Sequence, residues 1–412
     1  MNILMLSSTF PYPPTKGGTH VRTFNLLKHL AQNHVVTLLT QRSPDITDEE
    51  VTALSKWVHE LKIFQRPVSA AGGIPGKLCR FGQFLLNGTP PNVQGLHHPT
   101  VQSWLDQAVA SGQFDAITCE HSVNEIFVRP QWQSQSLPHQ SAPLRTVVDI
   151  HSSVYGTCKN QLETQTSEHW WRDRLNLPLL NRYERRYCQK FSQIVVTTPD
   201  DQQQIQAFNP QANIAIIPNG VDFTDFPYRT ADPGGHRLIF IGAMDNNANI
   251  DAVRFFSREV FPRVRQQYPE ATLDLVGSRP VPEVLELAQM PGITVTGRVP
   301  SMAEYLHRST VCVVPMRTGF GIKNKTLEAM AAGVPVVGSD RGLEGLAVDG
   351  AGVPLRALRA NHIEEYLVAI SRLFTEPQLR KQISREGRSL IEQDYTWEQA
   401  GRRYEAAVLG AQ

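Results

Sequence analysis

Short apolar runs that alternate with longer segments of helical periodicity are the feature that most constrains how this chain folds. Strand-length runs occur at residues 3–6, 35–39, 116–119, 146–150 and 194–197, and again at 238–241, 273–276, 293–296, 311–314 and 334–337. The segments between them, such as 247–266, carry apolar residues at helical spacings. Alternating strands and helices predict parallel sheets that helices cover on both faces. We therefore expect an α/β protein with two doubly wound, Rossmann-like domains.

The domain boundary is predicted at residues 217–222, IPNGVD, where proline and Asn-Gly interrupt the chain directly after an apolar run. A chain of 412 residues exceeds what one hydrophobic core usually organises. We expect a first domain at 1–216, a linker at about 217–236, and a second domain that starts at 223 and ends at 394. Ligands of doubly wound folds bind beyond the carboxyl ends of the strands, so two such sheet edges that face each other would form one cleft.

The charge balance excludes a protein whose whole surface binds nucleic acid. Lysine and arginine number 40 against 39 acidic residues, which gives a net charge of +1. The first residues, MNILML, lack the basic segment of a signal peptide, and three prolines follow at once. No apolar run approaches the roughly 18 residues that a membrane span needs. The expected location is the cytoplasm, with no nucleic-acid partner.

The cysteines and acidic residues indicate neither a disulfide framework nor a metal site. Five cysteines are widely scattered without a Cys-x-x-Cys pair, so they are expected to be buried thiols; they are Cys79, Cys119, Cys158, Cys188 and Cys312. The motif Asp-x-Asp, whose carboxylates usually bind the metal ion that accompanies a sugar nucleotide, is absent. We therefore predict that the protein needs no metal and no cofactor.

Residues 319–346, GFGIKNKTLEAMAAGVPVVGSDRGLEGL, have the pattern of a phosphate-binding loop that leads into a helix. Gly319 and Gly321 remove side chains that would keep a ligand from the backbone. A helix that opens near Thr326 would direct unpaired N–H groups at the same space. Lys323 and Lys325 add charge at a helix end that disfavours cations, which an anionic ligand explains better than two solvated lysines.

This loop resembles the nucleotide-sugar loop of the family-4 retaining glycosyltransferases, especially the branch of bacterial exopolysaccharide assembly with G-I-x-N-K-x-L-E-A-M-A. Further segments that resemble the family lie, in order, at residues 1–18, 217–222, 240–256, 274–280 and 395–405. The resemblance implies a GT-B fold whose terminal helix, here about 395–412, returns to the first domain. It also implies hexosyl transfer from a nucleotide-diphosphate sugar, the donor, to a glycan or lipid-linked glycan acceptor in polysaccharide biosynthesis.

The resemblance also assigns expected roles to residues of the second domain. Glu328 matches the family glutamate that accepts hydrogen bonds from two ribose hydroxyls; the alternative is a first-turn acid that complements the helix dipole and caps the N–H of Lys325. The diphosphate is expected to contact the loop, its two lysines and an arginine that follows the strand at 273–276. This donor-binding set is Gly319, Phe320, Gly321, Lys323, Lys325 and Arg279.

In the first domain, Gly17 and Gly18 follow the first strand and precede a helix, so they are expected to add a second close backbone approach to the donor. His151 directly follows a strand and resembles the cleft histidine of the family, although a histidine there is often structural. His121 follows the apolar run at 116–119 in the same way and is the weaker candidate. The residues predicted to act in catalysis are His151, Lys325 and Glu328.

Two departures from the family pattern keep other functions open. The common branch of the family carries two loop glutamates separated by seven residues, whereas here Thr318 precedes Gly-Phe-Gly and the spacing to Glu328 is longer. Residues 242–245, GAMD, stand where many members carry an arginine and a nearby lysine that bind the diphosphate. Candidate replacements are Arg279, Lys323, Lys325 and Arg317. The alternatives are a nucleotide-sugar 2-epimerase of the same fold and a non-catalytic partner subunit that only binds the nucleotide sugar.

Residues 168–190 combine Trp170, Trp171 and Tyr183 with six basic residues. Aromatic and cationic groups suit the headgroup zone of a membrane, so peripheral contact with the inner membrane surface is one interpretation. The other, which the helical periodicity of 182–190 favours, is an amphipathic helix with its aromatic side chains in the core.

Overall fold

The computed structural model describes residues 1–67, 82–133 and 143–410, and the chain divides into two compact units. The first unit comprises Met1–Pro218 with Ala400–Gln412, and the second comprises Asn219–Gln399. Four of the cysteines are buried free thiols, as expected, and Cys79 lies outside the described residues. Among the described residues, every helix is too short or too polar to span a lipid bilayer.

The first unit is built on a parallel sheet of seven strands, in the order β3-β2-β1-β4-β5-β6-β7. The central strands are buried, since Ile3 and Leu4 of β1 and Ile117 of β4 are inaccessible to solvent. The strands are β1 (Asn2–Ser7), β2 (Val35–Arg42), β3 (Glu60–Gln65), β4 (Ala116–Glu120), β5 (Arg145–Asp149), β6 (Gln193–Val196) and β7 (Ile214–Ile216).

Helices cover this sheet, and local capping explains where several of them begin. The side chain of Thr47 accepts a hydrogen bond from the Glu50 N–H at the start of one helix, and Thr198 and Asp201 form the same reciprocal cap at another. The α-helices are Gly18–Asn33, Asp48–Ser55, Pro91–Gln94, Pro99–Ala110, Val154–Glu163, Trp170–Tyr187, Pro199–Phe208 and, near the carboxyl terminus, Trp397–Leu409. Short 3-10 helices lie at Pro14–Lys16, Ser122–Phe127 and Pro130–Gln133.

The second unit has a parallel sheet of six strands, in the order β10-β9-β8-β11-β12-β13. Its strands are β8 (Arg237–Ile241), β9 (Thr272–Val276), β10 (Ile293–Gly297), β11 (Val311–Val314), β12 (Val336–Gly338) and β13 (Leu358–Arg359). Its α-helices are Asn247–Phe255, Phe261–Gln267, Pro282–Leu285, Met302–His307, Asn324–Ala331, Ile363–Thr375 and Pro377–Asp394, with a π-helical turn at Phe256–Val260 and a 3-10 helix at Glu286–Gln289.

Both sheets have a point at which the strand order reverses, between β1 and β4 in the first and between β8 and β11 in the second. In open α/β sheets, ligands bind outside the carboxyl ends of the strands at such a switch point. This topology confirms the predicted fold class of two doubly wound α/β domains. It also places the loops that follow β8 and β11 beside each other in the second unit.

Candidate functional site

The glycine-rich loop after β11 leads into the helix Asn324–Ala331, which begins two residues before the predicted start at Thr326. Lys323 occupies the N-cap position, and no side chain in the described parts of the chain caps this helix. The Thr326 N–H donates to the Lys323 carbonyl at 2.9 Å, whereas the N–H groups of Asn324 and Lys325 have no partner among the described residues. Gly319 and Gly321 both have positive φ values, 117° and 72°, which explains why glycine stands at these two positions.

The carboxyl ends of β8, β9 and β10 meet as closely packed backbone. A Cβ atom on Gly277 would lie 1.7 Å from the carbonyl oxygen of Gly242, so only glycine fits there. The Gly242 N–H donates to the Val276 carbonyl at 3.0 Å, and the Gly277 N–H donates to the Gly297 carbonyl at 3.3 Å. This edge of the sheet consequently offers backbone with few side chains, next to the start of the helix Asn324–Ala331.

Lys325 places its ammonium group at the switch point of the second sheet. Its Nζ lies 5.2 Å from the ring centre of Phe240 on β8 and donates a hydrogen bond of 2.9 Å to Asn249 Oδ1. Burial, together with the charge of Lys323, lowers the pKa of Lys325 to about 8, although the charge of Glu328 opposes the shift. No carboxylate in the described ranges forms an ion pair with Lys325, so its charge is available to a ligand.

Glu328 lies one helical turn after Lys325 and is half-buried. Its carboxylate accepts no hydrogen bond from any residue that the structure describes, so the alternative role as a cap of the Lys325 N–H is not observed. Burial raises the pKa of Glu328 to about 7; Lys325 opposes this shift, and Asp225 adds to it. The Glu328 carboxylate is therefore a partly buried hydrogen-bond acceptor without a donor among the described residues. This fits the predicted contact with ribose hydroxyls.

Lys323 differs from Lys325, because the charge of Lys323 is balanced by a carboxylate within the protein. Lys323 Nζ lies 3.1 Å from Glu344 Oε2 in a buried ion pair and also donates to the Gly321 carbonyl. Arg341 approaches the other oxygen of Glu344 at 2.7 Å. The predicted contact of Lys323 with the diphosphate stays a prediction, and in this structure Lys323 holds the loop to the segment after β12.

The two arginines among the candidate cations also have carboxylate partners. Arg279 adopts a positive φ of 54° and forms a two-pronged ion pair with Asp245, with N–O distances of 2.5 and 3.2 Å. Arg317 forms the same kind of pair with Asp251. Both arginine side chains are exposed, and each already has its charge balanced by a carboxylate. Lys325 is therefore the one candidate cation that reaches the site without a carboxylate partner among the described residues.

The pairing of the two lysines predicts that their replacements differ in their effect on stability. Replacing Lys323 by methionine leaves the buried Glu344 with one cation fewer, so the free energy of unfolding should fall by about 1–3 kcal/mol. Replacing Lys325 by methionine removes a charge that burial already disfavours, so the melting temperature should stay the same or rise. Thermal unfolding of the two variants without ligand tests this difference; equal losses of stability would contradict the distinct roles.

In the first unit, Gly17 and Gly18 lie after β1 where the helix Gly18–Asn33 begins. Gly17 is extended, with φ of 162°, a conformation open to any residue. A Cβ atom at Gly17 would find its nearest neighbour, His20 Nδ1, at 3.7 Å. The backbone conformation does not require glycine at Gly17, and the role of both glycines in ligand binding stays a prediction.

His151 belongs to a buried polar cluster at the carboxyl ends of β4 and β5. Its Nε2 lies 2.9 Å from Asp149 Oδ2, and Arg22 donates to both oxygens of Asp149 at 2.6 and 2.8 Å. Burial alone would raise the pKa of Asp149, but Arg22 and His151 hold this pKa below its ordinary value. The Nδ1 atom of His151 is buried and has no partner among the described residues. The structure thus fixes the ring and leaves one nitrogen unused.

His121 lies against His151, with ring centres 5.2 Å apart. Its φ of 78° is uncommon for a residue with a side chain. Burial lowers the pKa of His121 to about 3, and the neighbouring His151 adds to this shift, so His121 is neutral at physiological pH. The two candidate histidines are thus neighbours within this unit, and their role in ligand binding stays a prediction.

The same cluster contains a group with the spacing of metal ligands, in which single atoms of Glu120, Asp149 and His151 lie within 4.8 Å of one another. The chemistry of the group does not favour a metal. Arg22 already occupies both oxygens of Asp149, and burial, followed by the charge of Asp149, raises the pKa of Glu120 to about 8. The hydroxyl group of Tyr404 donates a hydrogen bond to Glu120 Oε1. The absence of a metal requirement stays a prediction.

The helix Trp170–Tyr187 differs in part from the favoured interpretation. Tyr183 is buried, as expected, but Trp171 and Leu175 are 75% and 65% exposed, and Trp170 is also on the surface. The expectation that all the aromatic side chains lie in the core is therefore wrong for the two tryptophans. The reason is helical geometry: Trp171, Leu175 and Arg182 share one face, whereas Tyr183 points about 100° away from it and is buried.

Family comparisons match both halves of the chain. Residues 16–225 match the model described as Glycosyltransferase Family 4, and residues 235–376 match the model described as Glycosyl transferases group 1. No curated protein matches the chain.

Solved structures of similar fold cover nearly the whole chain at low sequence identity. Sucrose-phosphate synthase from Thermosynechococcus elongatus is 19% identical, with a TM-score of 0.68 over 98% of this chain and 97% of that one. Anabaena HepE in complex with UDP and glucose is 14% identical, with a TM-score of 0.63 over 100% of both chains. S. aureus TarM in complex with fondaparinux, alpha-GlcNAc-glycerol and UDP is 12% identical, with a TM-score of 0.65 over 99% of both chains.

Proposed function

Because the chain belongs to glycosyltransferase family 4, we propose that it is a retaining, metal-independent hexosyltransferase of polysaccharide biosynthesis. It moves a sugar from a nucleotide-diphosphate donor to a glycan or lipid-linked glycan acceptor in the cytoplasm. The observation that carries this proposal is the pair Lys325 and Glu328, which presents an unpaired cation and an unused carboxylate at the switch point of the second sheet. HepE and TarM were both solved with UDP, which makes UDP the first nucleotide to test.

In this proposal the diphosphate lies against the first turn of the helix Asn324–Ala331, where free N–H groups and Lys325 bind its negative charge. Glu328, one turn further, accepts hydrogen bonds from the ribose hydroxyls. His151 donates to the sugar. The remaining contacts come from the residues that the family pattern assigns, which are Gly17, Gly18, Arg279, Gly319, Phe320, Gly321 and Lys323.

The proposed reaction uses the leaving diphosphate itself as the base. The bond between the anomeric carbon and the phosphate oxygen breaks, and the acceptor oxygen forms its bond on the same face of the sugar. The acceptor proton passes to the departing phosphate oxygen, so the configuration is retained without a protein nucleophile. Lys325 contributes by stabilising the charge that develops on the diphosphate.

A thermal-shift screen against UDP-, GDP- and ADP-sugars tests the proposed function. A ligand that binds only the folded state raises its stability by about 2.7 kcal/mol at a concentration one hundred times its Kd. We expect one nucleotide class to raise the melting temperature of the wild type, and the Glu328→Ala variant to lose most of this increase. No shift with any donor would contradict the proposal, and an undiminished shift in the variant would exclude Glu328 from the site.

We further propose that the exposed face of the helix Trp170–Tyr187 contacts an anionic membrane surface, where a lipid-linked acceptor would reside. The face carries the apolar side chains of Trp171 and Leu175, and three exposed arginines surround them: Arg172, Arg174 and Arg182. Each cationic side chain near an anionic leaflet contributes about 1 kcal/mol, and indole rings favour the headgroup zone.

Co-sedimentation with vesicles tests this surface. The wild type should bind phosphatidylglycerol vesicles at low salt and bind them more weakly at high salt. It should not bind phosphatidylcholine vesicles. The double variant Trp171→Ser, Leu175→Ser should lose most of the binding. The matched control is Val368→Ser, which alters an exposed apolar residue of the second unit and should bind like the wild type. Equal binding of the double variant and the wild type would refute the proposed membrane contact.

A further inference from the structure

Asn249 is a buried amide whose orientation the backbone determines. It lies in the first turn of the helix Asn247–Phe255 and is 7% exposed. Its Nδ2 donates a hydrogen bond of 2.8 Å to the carbonyl oxygen of Ala243, in the loop that follows β8. This contact identifies the nitrogen of the amide, so Oδ1 is the atom that faces Lys325 Nζ at 2.9 Å.

Gly242 provides the space in which this contact forms. A Cβ atom at Gly242 would lie 2.8 Å from Asn249 Nδ2 and 3.3 Å from Lys325 Cε. Any larger residue would displace the amide, the lysine or both. The loop after β8, the helix after it and the helix after β11 therefore converge on one ammonium group.

The partner of Lys325 is neutral, which distinguishes it from the other candidate cations. A carboxylate at Asn249 would cancel the charge that an anionic ligand needs, whereas an amide oxygen directs the ammonium group without neutralising it. The other groups that face Lys325 are Glu328 in the next turn, Lys323 at the helix start and Cys312 on β11. Of these, only Glu328 carries negative charge, and it makes no hydrogen bond to the lysine.

We propose that Asn249 is a positioning residue, which holds the Lys325 ammonium group at the carboxyl end of β8 with its full charge directed at the donor diphosphate. This inference rests on the proposed function, since it takes the donor diphosphate as the ligand of Lys325. It assigns to Asn249 a task that the sequence pattern of the diphosphate-binding loops did not indicate.

The test is the pH dependence of UDP affinity, measured by calorimetry with the full-length protein and two variants. Binding requires protonated Lys325, whose pKa is about 8, so the affinity of the wild type should fall about fourfold from pH 7 to pH 8.5, a range over which the ionisation of UDP changes little. The variant Asn249→Asp should bind UDP about tenfold more weakly at pH 7, and its affinity should begin to fall at a higher pH. The variant Asn249→Leu, which lacks the acceptor, should lose affinity at a lower pH than the wild type.

The control variant is Asn247→Asp, which adds the same charge at an exposed position of the same helix and should leave the pH midpoint unchanged. Opposite shifts of the midpoint in the Asp and Leu variants at Asn249 would support positioning, because a purely structural defect would weaken binding equally at every pH. Unchanged midpoints in both variants would overturn the inference. If instead Lys325→Met binds UDP as tightly as the wild type, the proposed function itself fails, which is a separate result.

Discussion

Replacing Lys325 by methionine should weaken the binding of UDP by about 10- to 100-fold while the unliganded protein keeps its melting temperature. A hydrogen bond to a charged group contributes about 1.5–3 kcal/mol, and each 1.4 kcal/mol corresponds to a factor of about ten in Kd. Methionine fills a similar volume over the Phe240 ring, and burial already disfavours the charge of Lys325. Calorimetric titration with UDP, together with a thermal melt without ligand, measures both quantities.

Arg317→Met is the matched control for Lys325→Met. Arg317 precedes the same loop but has a carboxylate partner, Asp251, and is largely exposed. Its replacement should change the UDP affinity by less than about threefold, because exposed ion pairs contribute little. If the two variants lost affinity equally, Lys325 would not be the principal cation of the site.

Replacing Arg22 by methionine should lower the free energy of unfolding by about 3–5 kcal/mol, because it leaves Asp149 buried without its cation. For a protein of this size the melting temperature should fall by roughly 10 °C. Without Arg22, burial raises the pKa of Asp149 above its value in the unfolded chain. Such a group stabilises the folded state less as the pH rises, so the loss should shrink as the pH is lowered towards 5. Thermal unfolding between pH 5 and pH 8 measures both effects.

Arg129→Met provides the comparison for Arg22→Met, since Arg129 also forms a two-pronged ion pair in the first unit, with Asp106, but on the surface. Its replacement should cost less than about 1 kcal/mol at any pH. A small, pH-independent effect of Arg22→Met would show that the buried pair does not anchor the cluster around His151.

Strand and helix periodicity predicts most of both sheets, because a buried parallel strand is a nearly continuous apolar run. β3 escapes this prediction, since ELKIFQ is a half-buried edge strand with charged residues. β13 has only two residues, Leu358 and Arg359, too few for any pattern. The helix expected at 247–266 contains a π-helical turn at Phe256–Val260, which apolar spacing does not reveal.

The sequence pattern of the site predicts Lys325 and Glu328 but not how the cations differ. The motif treats Lys323 and Lys325 alike, whereas tertiary structure pairs one with Glu344 and the other with Asn249. Glu344 is 21 residues away and Asn249 is 76 residues away, so no local spacing indicates either contact. The sequence shows only that a glycine follows β8 and another follows β9, at Gly242 and Gly277. The structure gives the reason, because the two backbones are too close for a side chain at Gly277.

A crystal structure of the protein with UDP tests the central claim most directly. The account predicts the two phosphorus atoms beside Lys325 Nζ and the first turn of the helix Asn324–Ala331, with the ribose hydroxyls on the Glu328 carboxylate. Phosphates bound on another face of the second unit, with Lys325 still bonded only to Asn249, would contradict it.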